Sequence, residues 1–421
     1  MKLPVELLDI IIDNITETST LFSLGLTCKH FAGVILPNHL LYHTICGRVE
    51  QTQLWNYLVL NPNVCRYIRR LEVTEMYNPT MRLSSHIYDI DPPQPGNLSP
   101  LLWSYELIAR ALHQMINLKA LEWNNAETPI FHAESDIGKK FSNLCFLGRM
   151  PGSPFSFRRM PLNGRWPNLR ILALSISYDH SEVPTTESIK DFISFHSNIV
   201  SLEWHISLRR SPRLSITSLP PGCLPHLRAL DADKELIQSL IATACIPPRP
   251  LKKIINFPTE AELWEQPEIS FQGINKPSLR VVSLAIRSLS QLTSFGDMFP
   301  NVECIDVGNS VSTGLWDEDL RHFRIPLMAT ERLSCLKNLR VILGVQFLHE
   351  SMEDEENKDR LEWVNQLFPY VEFCADRSSG IVLTRRNNSI SWKWVDIPLW
   401  SKYLGREEDF TIPEERDHIA L

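Results

Sequence analysis

Leu169-Arg170-Ile171-Leu172-Ala173-Leu174 is the clearest copy of a six-residue phrase that recurs along this chain of 421 residues. The first and fourth positions of the phrase are apolar, the sixth usually is, and the second is often Arg or Lys. Alternation of this kind predicts a short strand whose fourth and sixth side chains point into a core. Asn or Pro-Asn often precedes the phrase and predicts a turn. Further copies occupy 68–73, 118–123, 199–204, 227–232, 279–284, 302–307 and 339–342, and weaker copies start at Leu144, Leu251 and Val371.

The spacing of the phrase indicates a repeat architecture. Most successive copies start between 23 and 32 residues apart, which is close to the period of leucine-rich repeats, about 20 to 29 residues. In such repeats a helix returns the chain from each strand to the next, and helical patterns fill the gaps at 101–115, 188–195, 235–244 and 361–368. We therefore predict the α/β class, with an irregular leucine-rich-repeat solenoid of parallel strands alternating with helices over 67–380. An ordinary α/β fold whose strands merely share apolar residues is the alternative.

Irregular segments interrupt this array. Asp91-Pro92-Pro93-Gln94-Pro95-Gly96 cannot form regular strand or helix, and 148–165 is similarly rich in Pro and Gly, so we expect loop insertions near 77–100 and 148–165. Near the end, 381–383 and 390–394 are apolar runs around Arg385-Arg386-Asn387-Asn388. They predict a hairpin. Residues 381–421 would then form a C-terminal hairpin cap and tail.

The first 36 residues predict three short helices. Apolar residues from Leu7 to Ile15 recur at three- and four-residue spacing, Thr18-Ser19-Thr20 offers hydroxyl N-caps for a second helix, and Pro37 stops a third,. Three short helices cannot bury so much aliphatic surface among themselves. The remaining apolar face needs a partner, which is either the rest of the chain or another protein.

These residues resemble the F-box family, whose pattern opens with Leu-Pro-x-Glu-Leu-Leu and continues with Leu-x-x-Leu-x-Leu-x-Cys-Lys-x-Phe/Trp. Residues 3–8 and 21–31 match it in order and spacing. The resemblance implies a three-helix F-box at 1–45 that docks the Skp-family adaptor, and through it cullin, in an SCF-type ubiquitin ligase. We expect a linking helical segment at 46–66 to follow. By position, the implied adaptor-binding residues, shared between the core and the adaptor face, are Leu3, Pro4, Leu7, Leu8, Leu21, Leu24, Cys28 and Phe31.

Composition excludes several classes of protein. A net charge of −7 argues against a general nucleic-acid binder,. None of the nine cysteines forms a C-x-x-C pair, which leaves a zinc ribbon unsupported and indicates reduced thiols in a cytoplasmic or nuclear protein. Acidic residues interrupt the N-terminal apolar stretch, and no run approaches about 18 apolar residues, so we expect neither a secretory signal nor a membrane span.

No catalytic motif is evident. Residues 308–312 come nearest to a hydrolase elbow but lack its final Gly, and no Gly-rich phosphate loop is present,. We therefore expect no enzyme activity, cofactor or metal. The resemblance implies instead a substrate-recognition subunit whose repeats bind a target protein. The alternatives are a leucine-rich-repeat interaction scaffold with no link to ubiquitin, and an enzyme with a non-motif active site.

Acidic residues at the fifth phrase position suggest where a target would bind. This position lies between the two inward side chains and faces the open side of the sheet. Neighbouring strands would place the acidic residues in a column that favours a basic partner. The alternative is that Arg or Lys at the second phrase position neutralises them as ordinary surface pairs. The predicted substrate-binding residues are Glu72, Glu122, Glu203, Asp231, Asp306 and the adjacent Asp233.

Overall fold

The computed structural model describes residues 7–8, 11–12, 15, 18–36, 42–74, 100–124, 141–152, 164–178, 185–208, 219–257, 270–284, 295–306, 336–343, 370–375, 380–386 and 389–395. These residues fall into two compact units, the first reaching residue 208 and the second starting at residue 219. Each unit is built on parallel strands.

In the first unit the strands lie side by side in chain order: β1 (Thr44–Arg48), β2 (Arg70–Thr74), β3 (Ala120–Asn124), β4 (Phe146–Gly152), β5 (Ile171–Tyr178) and β6 (Ser201–Leu208). The second unit repeats the arrangement with β7 (Ala229–Ala232), β8 (Lys253–Phe257), β9 (Val281–Leu284), β10 (Cys304–Asp306), β11 (Val341–Leu343) and β12 (Phe373–Ala375). Antiparallel strands β13 (Gly380–Arg386) and β14 (Ser389–Val395) follow, and they form the predicted hairpin.

The helices alternate with these strands. The first unit has α1 (Thr18–Thr27), α2 (Lys29–Val34), α3 (Thr52–Leu60), α4 (Pro62–Cys65), α5 (Pro100–Gln114) and α6 (Thr186–Phe195), and the second has α7 (Lys234–Ala242), a 3-10 turn at Lys276–Ser278 and a helical stretch at 295–298. The helices predicted at 101–115, 188–195 and 235–244 correspond to α5, α6 and α7. The one predicted at 361–368 lies outside the described residues. The predicted α/β class, with parallel strands alternating with helices, is thus confirmed.

Every phrase copy begins a strand, and the strand always starts two residues after the first apolar residue of its copy. Backbone hydrogen bonds between neighbouring strands explain why the strands start at a constant position in the phrase. The carbonyl oxygen of Arg170 accepts hydrogen bonds from the N–H groups of Val200 (2.7 Å) and Ser201 (3.1 Å), at the start of the next strand. The same pair of hydrogen bonds from the next strand is accepted by the carbonyl oxygens of Arg69, Lys119, Cys145, Arg228, Lys252, Arg280, Glu303 and Arg340.

Asparagine side chains join successive turns. Asn168 Nδ2 donates to the Ser142 carbonyl oxygen at 2.8 Å, and Asn198 Nδ2 donates to that of Pro167 at 3.0 Å. In the second unit Asn301 Nδ2 donates to Pro277 O (3.0 Å). Asn338 Nδ2 donates to Pro300 O (3.1 Å) and to Asn301 Oδ1 (3.2 Å). We call this series the asparagine ladder. It gives the asparagines that precede the phrase a second role besides forming the turn.

The core of each unit lies between strands and helices. Trp123 and Trp204, at the sixth phrase position, are fully buried as predicted. Helix α6 starts where the Thr185 hydroxyl accepts a hydrogen bond from the Ser188 N–H at 3.1 Å, and it buries Ile189, Phe192 and Ile193,. In the second unit the core includes four packed phenylalanine rings, Phe257, Phe271, Phe295 and Phe299.

Two boundaries differ from the sequence predictions. Strand β1 occupies residues that were expected at the end of the N-terminal helices and the start of the helical linker, although α3 and α4 do follow it. Gly47 permits this strand, because a Cβ there would lie 2.6 Å from Leu54 Cδ2 on the covering helix,. Residues 148–152, expected in a loop, continue β4, and the register with β5 shifts between Leu147 and Met150. The rest of both expected insertions lies almost entirely outside the described residues.

Within the described part of the chain, no helix is both long enough and apolar enough to cross a membrane.

Candidate interaction surfaces

The N-terminal helices have a small core of their own. Leu8, Ile12, Leu21 and Ile35 are buried against one another, and Ile15, Leu24, Phe31 and Val34 pack partly buried around them. Of the predicted adaptor-binding residues, Leu8 and Leu21 are therefore core residues, while Leu24 and Phe31 border the core. Leu7 and Cys28 are exposed. Leu3 and Pro4 lie outside the described residues.

Large apolar side chains remain exposed on these helices. Phe22 and Leu26, one turn apart on α1, are 51% and 68% exposed, and Leu7 and Ile11 are about half exposed at the same spacing. Leu36 adds a further exposed side chain. We call Leu7, Ile11, Phe22 and Leu26 the apolar quartet. The sequence prediction included only Leu7 of the four. The sequence did contain a signal for the other three, because Leu7 and Ile11, like Phe22 and Leu26, are four residues apart and so share one helix face.

Cys28 sits between α1 and α2, at the N-cap of α2. Its thiol is fully exposed, and hydrogen bonds from the backbone at Phe31 lower its pKa, with smaller contributions from His30 and Thr27,. Two buried thiols show the opposite shift. Burial raises the pKa of both Cys65 and Cys304 to about 12.

The predicted acidic column is interrupted in both units. Glu72 and Glu122 are neighbours in register, but Gly148 follows Glu122, and Ala173 is the residue beside Glu203. In the second unit Ile255 lies beside Asp231, and Ser283 lies beside Asp306. Asp233 is the N-cap residue of α7. The expectation of a continuous column was wrong, because several strands have small or apolar residues at the fifth phrase position.

Glu122 is the member of the acidic set that differs most from expectation. It is only 3% exposed and forms a buried ion pair with Arg70 of the neighbouring strand. Beside this pair, the Cys46 thiol donates to Glu72 Oε2 at 3.4 Å. Burial, followed by the Glu72 carboxylate, raises the pKa of Cys46 to about 12. Glu122 is therefore unavailable to a target, whereas Glu203 is exposed.

The basic residues at the second phrase position lie at one edge of the sheet, where the strands begin. In the first unit Arg69, Lys119 and Arg170 occupy this edge. In the second unit it has Arg228, Lys252, Arg280 and Arg340, together with Glu303 and Glu372. Neutralisation of the acidic column by these basic residues was the alternative to a recognition surface. Instead, Arg280 Nε pairs with Glu303 (3.3 Å), and Arg340 pairs with Glu372, within the same row.

Groups suited to hold a metal are absent from the described residues, where no cluster of three or more His, Cys, Asp or Glu side chains occurs. The features described above are surfaces: the apolar quartet and the charged residues where the strands begin.

No protein-family model matches the chain, and no curated protein sequence matches it.

Proposed function

We propose that the protein is the substrate-recognition subunit of an SCF-type ubiquitin ligase, in which an N-terminal F-box docks a Skp-family adaptor and a leucine-rich-repeat solenoid holds a target protein. The observation that carries the proposal is the apolar quartet. These four side chains are exposed and lie outside the cluster of buried residues that the helices form. Their position in the F-box-like sequence supports an adaptor as the partner.

The regular spacing and hydrogen bonding of the strands support the solenoid part of the proposal. Each phrase copy starts a strand at the same position, and nine of the eleven copies accept the same pair of backbone hydrogen bonds from the next strand. Strand-by-strand repetition with intervening helices is the pattern of a solenoid. Such an array offers a broad surface of side chains for a protein target.

In this proposal the chain contributes no reacting group. It raises the rate of ubiquitin transfer by holding a target near a ubiquitin-charged enzyme, which increases the effective concentration of the two reactants. The apolar quartet would contribute adaptor affinity through burial, at about 25 cal/mol per Å² of apolar surface removed from water. A cytoplasmic or nuclear location fits this role.

The test is co-purification of the Skp-family adaptor with the full chain. We expect a Phe22→Ser/Leu26→Ser variant to lose most of the adaptor while retaining its circular dichroism spectrum, because both side chains are exposed. Leu60→Ser is the matched control, since Leu60 is equally apolar and 61% exposed on α3. Equal recovery of adaptor with the double variant and the wild type would contradict the proposal and favour a repeat scaffold without a link to ubiquitin.

A further inference from the structure

A second surface lies in the second unit, where strands β7 to β12 begin. The residue just before each strand is, in strand order, Arg228, Lys252, Arg280, Glu303, Arg340 and Glu372. We call this set the charged row. The carbonyl oxygens of its first five members each accept two N–H groups from the start of the following strand. The row is therefore fixed at the strand spacing of about 4.8 Å.

The region around the row is strongly basic for a protein of net charge −7. Lys253, Lys276 and Lys337 lie within a few residues of the row, in strand β8 and in the turns that precede β9 and β11. Acidic side chains of the same unit, including Asp231 and Asp233, lie at or beyond the other end of β7. At β7 the cation of the row and the carboxylates of Asp231 and Asp233 thus lie towards opposite ends of the strand, and the cations of the row would attract acidic groups.

The cations of the row are accessible. Arg228 and Arg340 are exposed, and Lys252 and Arg280 are partly exposed. Arg280 is held by carbonyl oxygens of Pro277 (3.0 Å) and Asn301 (3.1 Å), which orient its guanidinium. The pairs that Arg280 and Arg340 form with row glutamates are solvent-exposed, and such pairs contribute only about 0 to 1 kcal/mol. An incoming carboxylate can replace them at little cost.

We infer that the charged row binds an acidic segment of a partner polypeptide, laid across the starts of β7 to β12. The order of charges selects this occupant. Three cations at β7 to β9 suit consecutive acidic side chains, whereas Glu303 and Glu372 suit neutral or basic residues. A nucleic acid has a uniform series of phosphates that would meet both glutamates, so the pattern favours a polypeptide.

This inference does not depend on the proposed role of the N-terminal helices. If the protein is a substrate receptor, the acidic segment belongs to its target, and the basic target suggested by the acidic column is replaced by an acidic one. The test below uses the purified full chain without adaptor, so it can fail or succeed independently of the adaptor experiment.

The probe is a fluorescein-labelled peptide of about eight residues, enough to cross six strands in extended form, in which a run of consecutive Asp and Glu residues is followed by Ser residues. Binding to the full chain is followed by fluorescence anisotropy at low and at physiological salt. Competitors are the same peptide with Asn and Gln in place of the acids, and a single-stranded DNA of equal charge. The variants are Arg228→Glu and, as control, Lys234→Glu, which makes the same charge change at the opposite end of β7.

We expect the acidic peptide to bind more tightly than its amide counterpart and more weakly at higher salt. Arg228→Glu should weaken binding about fivefold, because an exposed attraction of up to about 1 kcal/mol becomes a repulsion. Lys234→Glu should change the affinity for the peptide less than about twofold, because Lys234 lies at the other end of β7. Equal effects of the two reversals, or equal binding of acidic and amide peptides, would overturn the inference. Tighter binding of the DNA than of the acidic peptide would overturn it in favour of a nucleic acid.

Discussion

At the scale of single residues, Arg249 is the most unusual group in the second unit. It is 0% exposed, and its guanidinium donates to four backbone carbonyls: Cys223 O (2.8 and 3.0 Å), Leu240 O (2.7 Å), Thr243 O (3.0 Å) and Gly273 O (3.2 Å). Two of these acceptors, Leu240 O and Thr243 O, lie at the C-terminal end of α7, where the helix dipole favours a cation,. The lack of a side chain at Gly273 permits the approach, because a Cβ there would lie 2.7 Å from Arg249 Nη1.

Replacement of Arg249 should therefore be among the most destabilising changes in the second unit. Arg249→Met leaves several buried carbonyls without a donor and should lower the free energy of unfolding by roughly 3 kcal/mol or more. Arg249→Lys keeps the charge but cannot reproduce the planar fork, so we expect an intermediate loss. Urea unfolding followed by circular dichroism measures both. A cost for Arg249→Met below about 0.5 kcal/mol would show that water satisfies these carbonyls.

His196 makes the first unit sensitive to pH. Its Nε2 accepts a hydrogen bond from the Trp166 backbone N–H (3.1 Å), so Nδ1 holds the proton and donates to Phe192 O (2.8 Å). Burial lowers the pKa of His196 from 6.5 to about 4, the Arg165 charge adds to the lowering, and the Phe192 hydrogen bond opposes it. The neutral ring satisfies this site, whereas a protonated ring would lose the Trp166 hydrogen bond.

Between pH 6.5 and pH 4, the unfolded chain binds a proton at this histidine and the folded chain does not. The free energy of unfolding should therefore fall as the pH falls, by up to about 1.4 kcal/mol per pH unit from this group. His196→Gln removes the titration. We expect urea midpoints to fall more steeply with acidification in the wild type than in the variant, and parallel profiles would refute the assignment.

At the scale of elements, the asparagine ladder should stabilise the joints between repeats. Asn338→Ala removes the donor to Pro300 O and should cost about 1 kcal/mol. Because Asn338 also bonds Asn301, the double variant with Asn301→Ala should cost less than the sum of the single variants. Asn275→Ala is a suitable control for urea unfolding, since this exposed asparagine caps no helix with its side chain. Additive costs would indicate that the ladder members act independently.

The strands and helices also show how much of the fold the sequence could predict. The phrase predicted its strands because each copy supplies apolar residues at the fourth position and a turn before the first. Strand β1 lacks a clear copy, since Tyr42-His43 stands in place of the aliphatic and Arg or Lys pair and Gly47 occupies the sixth position, which is usually apolar. Its glycine, which disfavours a strand by propensity, is required by the packing of α3. That requirement comes from tertiary packing, so the local sequence gives no sign of it.

The acidic column is interrupted for a reason that the sequence itself contains. The acidic column depended on which residues stand between the acids, and Gly148, Ala173, Ile255 and Ser283 fill those places. The N-terminal helices were predictable as amphipathic, yet the sequence could not divide the core from the exposed side. That division depends on how the short helices pack, which moves Leu8 inside and leaves Leu7 outside.

At the scale of the whole molecule, the N-terminal helices and the strand array should be separable. The helices bury Leu8, Ile12, Leu21 and Ile35 in a cluster among themselves, whereas β1 is part of the array, because it pairs with β2 and packs Gly47 under Leu54 and Trp55. The boundary therefore lies before Thr44. A cut at residue 45 would split the strand.

Two truncations test this boundary. Removal of residues 1–41 should leave the thermal unfolding of the remaining chain nearly unchanged and abolish adaptor recovery. Removal of residues 1–48 also deletes β1, which uncovers the backbone edge of β2 and the buried faces of Leu54 and Trp55. It should therefore lower the melting temperature by several degrees, at about 2 to 4 °C per kcal/mol for a unit of this size. Calorimetry on both truncations gives the comparison. If removal of residues 1–41 destabilises the array as much as removal of residues 1–48, the N-terminal helices are a cap of the repeats and not a separate docking module.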